Sequence, residues 1–577
     1  MRPEEKQKGL AARRGLVSVG HMFKRSFFAF ALVALPVPAL ATGGVVSSAD
    51  PRASQAGRDM LRAGGSASDA AMAMMLALTV VEPQSSGIGG GGFLVYQSAT
   101  SSVAETIDGR ETAPASALTT RFIGTDGKPM GFFKAVPGGL SVGVPGNIAL
   151  MASAHKKWGK LRWAKLFDPA IRLAENGYTV TPALSNRLNG LAGVWADFPQ
   201  AQAIYWDAGK PKPIGAIVKN PALAAFLKRV AKGGPNAFYK GENVTAIANA
   251  VSQSKLNPAT INAADLSNYR AKARATVCTT YRSYKLCGMG PPSSGATTVF
   301  QILGMLERFD MKALGKDSPE AWHLIAESMM LAYADREKYL GDADFVSVPV
   351  AGLLDKTYIA SRSALISPTA SLPKYEAGTP PGAQPRTAAV PSEVAGTTHF
   401  VAVDGQGNVA SMTSTIEGPF GSQLIANGYF LNNELTDFTF APEKNGAPVA
   451  NRVQAGKRPL SSMSPTIVYD KTGKAILALG SAGGKRIIMH VTKTLIGALD
   501  FGLSAQEAIA LPNIYYSGEA VLIEAGTGLS AMQADLAKLG RTVVSSDLGS
   551  KVNAVERAAN GWRGAADPRS EGSWLDE

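Results

Sequence analysis

The sequence predicts a layered α+β protein whose sheets take strands from both halves of the chain. Three observations support this fold class. A capped apolar helix and a pair of strands come early, residues 147–345 are mainly helical by period, and strands dominate from residue 398 until a helix near 486–500. The composition, 45% hydrophobic and 18% charged over 577 residues, is typical of a globular protein, and we expect two intimately packed portions rather than a string of modules.

The first 41 residues have the pattern of an export signal. The basic pair Lys24-Arg25 precedes an apolar run over 26–35, and a small-residue cleavage site of the A-x-A type ends at Ala41. We predict cleavage after Ala41, with Met22 as a second candidate start. An uncleaved anchor helix is the alternative, although the apolar run is short for a membrane span. The mature protein is therefore expected to be periplasmic or secreted, with no membrane contact beyond the signal peptide.

The first elements after the leader are a buried helix and two strands. Ser66 and Asp69 fit a capping box ahead of an apolar run that continues to Leu78 and is hydrophobic nearly all round, which predicts a buried helix. A glycine-rich turn over 87–92 leads into paired strands over 93–97 and 103–108. The turn matches G-x-G-x-x-G, but a helix precedes it and a strand follows it, the reverse of a dinucleotide site.

Charge and cysteine content exclude two functional classes. The formal charge of +13 contains no Lys/Arg block with interleaved aromatic residues, so we interpret it as a solvated basic surface and expect no nucleic-acid binding. The only two cysteines, Cys278 and Cys287, flank a predicted hairpin and form either a local disulfide or two buried thiols. A zinc site lacks partners, because no histidine of the mature chain lies at ligand spacing.

A predicted hairpin brings two threonines together. The segment 365–396, rich in Pro, Ser, Ala and Gly, is expected to be exposed and flexible, and two strands around a glycine-rich turn follow it. If the turn centres on Gln406, antiparallel pairing places Thr415 opposite Thr397, with side chains about 5 Å apart. The period of two then adds Glu417 to the same face. Cross-strand packing of two threonines is common, so this pattern alone does not establish chemistry.

A second predicted hairpin ends in adjacent glycines. If its turn centres on Thr472, pairing brings Ser461 near Gly483, and the Gly483-Gly484 pair leads directly into a helix. Backbone N–H groups at a helix start are suited to bind an oxyanion. A simple glycine turn is the alternative interpretation.

These segments resemble the γ-glutamyltransferase family. The similarity lies in ordered motifs spread over roughly residues 45–570. The motifs in chain order are Val81–Phe93, Asp108–Pro114, Val144–Gly146, Gly341-Asp342, Gly396–His399, Leu431–Phe438, Arg458–Pro465, Ser481–Gly484 and Ala566–Arg569.

The resemblance implies a fold and a processing event. Members of the family fold as a four-layer αββα sandwich of the N-terminal nucleophile hydrolase type, with sheets shared by two subunits. They cut their own chain before a threonine, which here is the Gly396–Thr397 bond. The implied products are a large subunit of residues 42–396 and a small catalytic subunit of residues 397–577, which form a heterodimer from one precursor. The new α-amine of Thr397 then serves as the local base.

The resemblance also implies the roles of individual site residues. Thr397 is the nucleophile that Thr415 orients, and Gly483 and Gly484 supply oxyanion donors. The positions that hold the substrate α-carboxylate match Arg110, Ser461 and Ser462, and those that hold its α-amino group match Glu417, Glu434 and Asp437.

The implied donors are glutathione or other γ-glutamyl compounds, and the acceptors are water, amino acids or peptides, with no metal or organic cofactor. Two departures keep other substrates open. Glu417 stands where some members have Asn, and the lid segment 438–450 is short and lacks a Tyr. The alternatives are a cephalosporin or glutaryl acylase, a poly-γ-glutamate-processing enzyme of the same family, or an unprocessed, non-catalytic binding protein.

Overall fold

The computed structural model describes residues 43–388, 396–518 and 520–577. The predicted signal peptide and part of the predicted flexible segment lie outside these ranges. Within them, no helix is long and apolar enough to cross a membrane. The described part of the flexible segment, 365–388, contains neither a helix nor a strand.

Helices cover most of residues 147–345, as the helical period predicts. The helices are α1 Pro51–Arg62, α2 Ala67–Val81, α3 Phe132–Ala135, α4 Asn147–Trp158, α5 Asp168–Asn176, α6 Pro182–Gly190, α7 Pro199–Tyr205, α8 Pro221–Gly233, α9 Asn236–Tyr239, α10 Glu242–Ser252, α11 Ala263–Ser267, α12 Gly295–Leu306, α13 Met311–Leu314, α14 Pro319–Tyr339, α15 Val350–Leu353, α16 Lys356–Ser363, α17 Arg486–Leu499, α18 Ala505–Ala510, α19 Gly528–Ala531 and α20 Gln533–Lys538.

Strands occur early and then dominate the chain after residue 397. The strands are β1 Val45–Ser48, β2 Gly91–Gln97, β3 Glu105–Asp108, β4 Tyr178–Thr179, β5 Trp206–Asp207, β6 Lys210–Pro211, β7 Ile217–Val218, β8 Lys272–Arg274, β9 Val277–Tyr281, β10 Tyr284–Gly288, β11 Thr398–Val403, β12 Val409–Thr415, β13 Ile425–Ala426, β14 Tyr429–Phe430, β15 Glu443–Lys444, β16 Ala447–Pro448, β17 Thr466–Tyr469, β18 Ala475–Gly480, β19 Ile514–Tyr516, β20 Val521–Glu524, β21 Val543–Ser546, β22 Asn553–Ala558, β23 Gly561–Ala566 and β24 Ser573–Asp576.

Two large sheets form the centre of this mixed α/β protein. The first has seven strands in the order β24-β1-β11-β12-β2-β3-β8, and the second has six in the order β23-β22-β18-β17-β10-β9. Each sheet contains strands from both sides of residue 397. The chain before Thr397 and the chain after it therefore share both sheets.

Strand β11 shows how the layers pack. It is buried along its whole length, so both of its faces must meet apolar partners. Phe400 and Ala402 belong to the core that includes helix α2, whereas Val401 and Val403 belong to the core that includes the second sheet. Helices α12 and α17 contact the strands of that second sheet. The period of two thus places alternate residues of one strand in two separate cores.

Helix α2 and the cysteine hairpin agree with the sequence. Ser66 caps α2 through a capping box with Asp69, and all residues of the helix are buried, as its apolar composition predicts. Cys278 and Cys287 lie directly opposite each other in the β9–β10 hairpin and form a disulfide with an S–S distance of 2.10 Å. The disulfide is one of the two states that the sequence leaves open.

The register predicted for the second hairpin is wrong beyond its turn. Tyr469 pairs with Ala475, which centres the turn on Thr472 as expected, but a bulge shifts the register by one residue from Val468 onward. An extra residue on one strand has this effect because two residues then oppose one. Strand β17 begins only at Thr466, and Ser461 forms a parallel bridge with Ser293 instead of extending the hairpin.

Candidate active site

The first hairpin places two threonine hydroxyl groups in contact. Pairs from Thr398–Ser414 to Val403–Val409 fix the register about Gln406. Thr397, one residue before β11, donates a hydrogen bond from Oγ1 to Thr415 Oγ1 over 3.1 Å, and both residues are buried. Thr415 Oγ1 also accepts the backbone N–H of Glu417 at 2.7 Å. Two hydrogen bonds therefore hold Thr415 in one orientation toward Thr397.

The backbone at this point is strained. Thr397 has φ +79° and Glu417 has φ +75°, a region that β-branched and bulky residues rarely adopt. A Cβ added at Gly396 would lie 1.6 Å from the Glu417 carbonyl oxygen, so only glycine fits beside that loop. The expectation that Glu417 continues the strand is wrong, because β12 ends at Thr415 and the chain turns there.

The carbonyl oxygen of Ser85 fixes the start of the hairpin. It accepts the backbone N–H of Thr397 at 3.1 Å and that of Ile416 at 3.3 Å. The two ends of the β11–β12 hairpin are thereby attached to the turn that follows α2.

Gly483 and Gly484 lie immediately before helix α17, with φ +129° and φ +60°. Among the described residues, no group accepts a hydrogen bond from either of their N–H groups. His490 Nδ1 lies 3.0 Å from Ser481 Oγ and 3.2 Å from the Ala482 carbonyl oxygen, which holds the residues just before the glycines. Burial lowers the pKa of His490 to about 3, so the ring is neutral. No sequence motif indicates a role for this histidine.

Arg110 lies at the centre of a buried group of acidic residues. Its guanidinium forms ion pairs with Glu434 and Asp437. Nε donates to the Pro459 carbonyl at 3.1 Å, and Nη2 donates to the Leu460 carbonyl at 2.9 Å. The structure thus joins Arg110 to two of the three acidic residues predicted for the substrate, and most of its donors already have protein partners.

The carboxyl groups around Arg110 exceed the positive charge available to them. We call Glu111, Glu417, Glu434 and Asp437 the acidic cluster. Burial raises the pKa of Glu111 to about 7 and raises the pKa values of Glu417 and Glu434 well above their usual range. Arg110 lowers the pKa of all three but does not compensate for burial, because one guanidinium faces several carboxyl groups.

Glu111 and two asparagines belong to this site although the sequence analysis gave them no role. Glu111 is fully buried, a hydrogen bond with the Glu434 carboxyl lowers its pKa, and one of its carboxyl oxygens lies 3.9 Å from Arg110 Nη1. Asn433 donates to the Glu417 carboxylate, and Asn432 Oδ1 accepts the Glu434 backbone N–H at 3.0 Å. The available signal was position, since Glu111 follows Arg110 and both asparagines precede Glu434.

Ser461 and Ser462 occupy a short extended segment, and a second arginine orients one of them. Arg336, on α14, donates from Nη2 to Ser462 Oγ at 2.8 Å and from Nε to Ser294 Oγ at 2.9 Å. Ser461 Oγ accepts the Met463 backbone N–H at 3.2 Å. No local sequence pattern indicates Arg336, because it lies more than one hundred residues before the serines.

Two features surround the site: the segment 438–450, which the sequence predicts to be a lid, and a cavity. The lid segment contains only the two-residue strands β15 and β16, joined by a turn, and most of its residues are exposed or half-buried. A cavity of about 630 Å³ is lined by Gly396 and Gly483, so the predicted scissile residue and a predicted oxyanion donor share one space. Nowhere in residues 43–388, 396–518 and 520–577 do three His, Cys, Asp or Glu side chains group to hold a metal ion.

Comparison with known proteins identifies the family. The family described as gamma-glutamyltranspeptidase matches residues 53–575. The glutathione hydrolase proenzyme of Escherichia coli (strain K12) is 36% identical over 546 residues, covering 92% of this chain and 91% of that protein. An acylase ACY 1 proenzyme of Pseudomonas sp. (strain SE83) is 35% identical over 545 residues, covering 93% and 94%.

A solved structure extends the similarity to the fold. Cephalosporin acylase from Bacillus halodurans superimposes with a TM-score of 0.81 at 26% identity, over 95% of this chain and 99% of that one. The sequence match over nearly the whole chain and this structural match agree, and the chain therefore belongs to the γ-glutamyltranspeptidase family.

Proposed function

We propose that this protein is a self-processing γ-glutamyltransferase and glutathione hydrolase whose nucleophile is Thr397. The observation that carries the proposal is the contact of the Thr397 and Thr415 hydroxyl groups beside a strained Gly396–Thr397 bond. Processing there yields subunits of residues 42–396 and 397–577, which stay together because they share both sheets. We further propose the four-layer αββα arrangement and export to the periplasm or medium after removal of residues 1–41.

Self-cleavage requires only groups of the chain and one water molecule. Thr397 Oγ1 attacks the Gly396 carbonyl carbon, the C–N bond to Thr397 breaks, and the acyl group moves from nitrogen to oxygen as an ester. Water then hydrolyses the ester, which leaves a carboxylate on Gly396 and restores the Thr397 hydroxyl with a free α-amine. Relief of the unfavourable φ at Thr397 favours this reaction, since such strain costs ~1–3 kcal/mol.

The same groups serve turnover. The Thr397 α-amine takes the hydroxyl proton as Oγ1 attacks the γ-glutamyl amide, and it then gives that proton to the leaving amine. The N–H groups of Gly483 and Gly484 stabilise the oxyanion. Water attacks the ester and releases glutamate. Alternatively, the amine of an amino acid or peptide attacks the ester and receives the γ-glutamyl group.

The acidic cluster favours an acyl-donor substrate that carries a free α-amino group. A γ-glutamyl group brings one ammonium and one carboxylate, whereas a glutaryl group brings only the carboxylate. An ammonium beside Glu417, Glu434 and Asp437 favours the ionised carboxylates, which burial disfavours at Glu417 and Glu434. An additional unpaired carboxylate about 5 Å from another costs ~3 kcal/mol at an effective dielectric constant of 20.

Substrate binding requires Arg110 to exchange partners. Glu434 and Asp437 occupy the guanidinium in the unliganded site. A substrate α-carboxylate takes their place, and the released carboxyl groups turn to the substrate ammonium. Ser462, held by Arg336, then completes the carboxylate contact.

A cephalosporin or glutaryl acylase is the competing function, because relatives and a structural neighbour carry acylase names. The test compares kcat/KM for γ-glutamyl-anilide and glutaryl-anilide on the mature protein. We expect a preference for the γ-glutamyl compound of ~100-fold, which corresponds to ~3 kcal/mol, and a smaller preference in Glu434→Gln. A preference for glutaryl-anilide contradicts the substrate assignment.

The nucleophile is tested separately from the substrate. Intact mass spectrometry of the exported protein is expected to show two chains, one of which begins at Thr397. Thr397→Ala is expected to remain one inactive chain, whereas Thr397→Ser retains the hydroxyl and is expected to process. A normally cleaved Thr397→Ala chain would exclude Thr397 as the nucleophile.

A further inference from the structure

A partly buried ion pair is connected through one serine to the nitrogen that cleavage would convert into the catalytic base. Glu82 ends helix α2, and its carboxylate forms an ion pair with Lys551 Nζ. Ser85 Oγ donates to Glu82 Oε1 at 3.2 Å and accepts from Lys551 Nζ at 3.2 Å. The carbonyl oxygen of the same Ser85 accepts the Thr397 N–H at 3.1 Å. One residue therefore contacts the ion pair and the nucleophile nitrogen.

Stability of α2 does not explain a carboxylate at this position. The C-terminal end of a helix carries a partial negative charge and disfavours an anion, and burial also raises the pKa of Glu82. The Thr398 hydroxyl donates a hydrogen bond to the Glu82 carboxyl and lowers its pKa, but burial has the larger effect. Glu82 thus contacts the residue that follows the nucleophile.

The charge of this pair acts on the nitrogen only after processing. In the intact chain the Thr397 nitrogen is an uncharged amide, whereas in the cleaved chain it is an amine that titrates near its ordinary pKa of about 7.7–8.0. A nearby carboxylate favours the ammonium form and a nearby ammonium disfavours it. A base must be uncharged at working pH to accept the hydroxyl proton.

Other charged groups face the same space and act on both members of the pair. Glu82, Ser85, Lys551, Gly396 and Gly483 line the cavity of about 630 Å³. The remaining charged side chains that line it are Asp50, Arg187, Arg486, Asp547, Arg569 and Glu571. These groups carry both signs, and Asp50 and Arg187 also interact electrostatically with Glu82. Glu82 and Lys551 are the two charged residues that contact Ser85, which binds the Thr397 nitrogen.

We propose that Glu82 and Lys551 are positioning residues that set the basicity of the Thr397 α-amine through Ser85. The inference rests on the proposed self-processing at Thr397. Glu82 offsets the charge of Lys551, so the amine keeps a pKa close to that of an ordinary α-amine. Loss of Glu82 alone leaves an uncompensated cation that lowers the pKa of the amine, and loss of both charges restores it.

The experiment compares mature wild type, Glu82→Gln and the double variant Glu82→Gln/Lys551→Met. Intact mass spectrometry first establishes that each of the three proteins is cleaved before Thr397. A wild-type protein that remains one chain refutes the proposed function, not this inference. The pH profile of kcat/KM for γ-glutamyl-anilide then reports the pKa of the base in the free enzyme. Carbamylation of the Thr397 amine by cyanate, followed by mass spectrometry across pH, gives the same pKa without relying on activity.

In Glu82→Gln we expect the acid limb of the kcat/KM pH profile to move to lower pH by about half to one unit. In the double variant we expect this acid limb to return to within about 0.2 units of wild type. Glu105→Gln is the matched control, because it removes the carboxylate of an exposed Lys157 pair elsewhere in the chain; it is expected to leave the limb unchanged. An unmoved limb in Glu82→Gln, or a double variant that stays shifted, overturns the proposal. If Glu82→Gln is not cleaved, Lys551→Met decides, since its limb must move to higher pH.

Discussion

Replacement of Thr415 by Val tests the contact on which the active-site assignment rests. The substitution keeps the side-chain shape nearly unchanged and removes one hydroxyl. That hydroxyl accepts the Glu417 N–H at 2.7 Å and the Thr397 Oγ1–H at 3.1 Å. The buried Glu417 N–H then has no partner, which costs ~1–3 kcal/mol of stability.

The effect on chemistry follows from the second hydrogen bond. Without it the Thr397 hydroxyl can rotate away from the Gly396 carbonyl, and a lost orienting bond of ~1.5–3 kcal/mol slows a reaction by ~10- to 100-fold. We therefore expect Thr415→Val to slow self-cleavage and to lower kcat of the fraction that matures by factors in this range. Intact mass spectrometry over time measures the cleavage, and hydrolysis of γ-glutamyl-anilide measures kcat.

Thr413→Val is the matched control. Thr413 lies two residues earlier on the same strand, is buried, and has its hydroxyl 2.8 Å from His399 Nδ1. Its replacement is expected to cost a similar amount of stability in urea unfolding but to leave cleavage and kcat close to wild type. Equal impairment of both variants, or wild-type cleavage in Thr415→Val, would refute the assigned role of Thr415.

Two further predictions concern the acidic cluster. Arg110→Lys is expected to raise KM for the γ-glutamyl donor by ~10-fold or more with a smaller effect on kcat, because an ammonium cannot make a bidentate contact; unchanged KM in steady-state kinetics contradicts the carboxylate assignment. The raised pKa of Glu111, about 7, means that the folded protein binds this proton more tightly than the unfolded chain. Its contribution to stability therefore falls as pH rises from about 5 to about 7. Glu111→Gln is expected to flatten this pH dependence of the urea midpoint; a slope equal to that of wild type contradicts it.

The local part of the site follows from the sequence. The position of Thr415 opposite Thr397 depends on one turn and a period of two, and the structure confirms that pairing. The buried helix α2 likewise follows from its capping box and apolar composition. The second hairpin shows the limit of such reasoning, because a single bulge at Val468 moved its register. Nothing in the strand composition marks that extra residue.

The family follows from ordered motifs, and the mixed α/β class and the contact of the two threonines follow from helical period and strand register, which act between near neighbours in the chain. Tertiary packing is what brings Arg110 to Glu434 across 324 residues and Lys551 to Glu82 across 469. The same packing buries Glu111 beside Glu434 and Arg110. These contacts depend on how the two sheets and their helices pack, and a charge is paired or desolvated only once that packing excludes water.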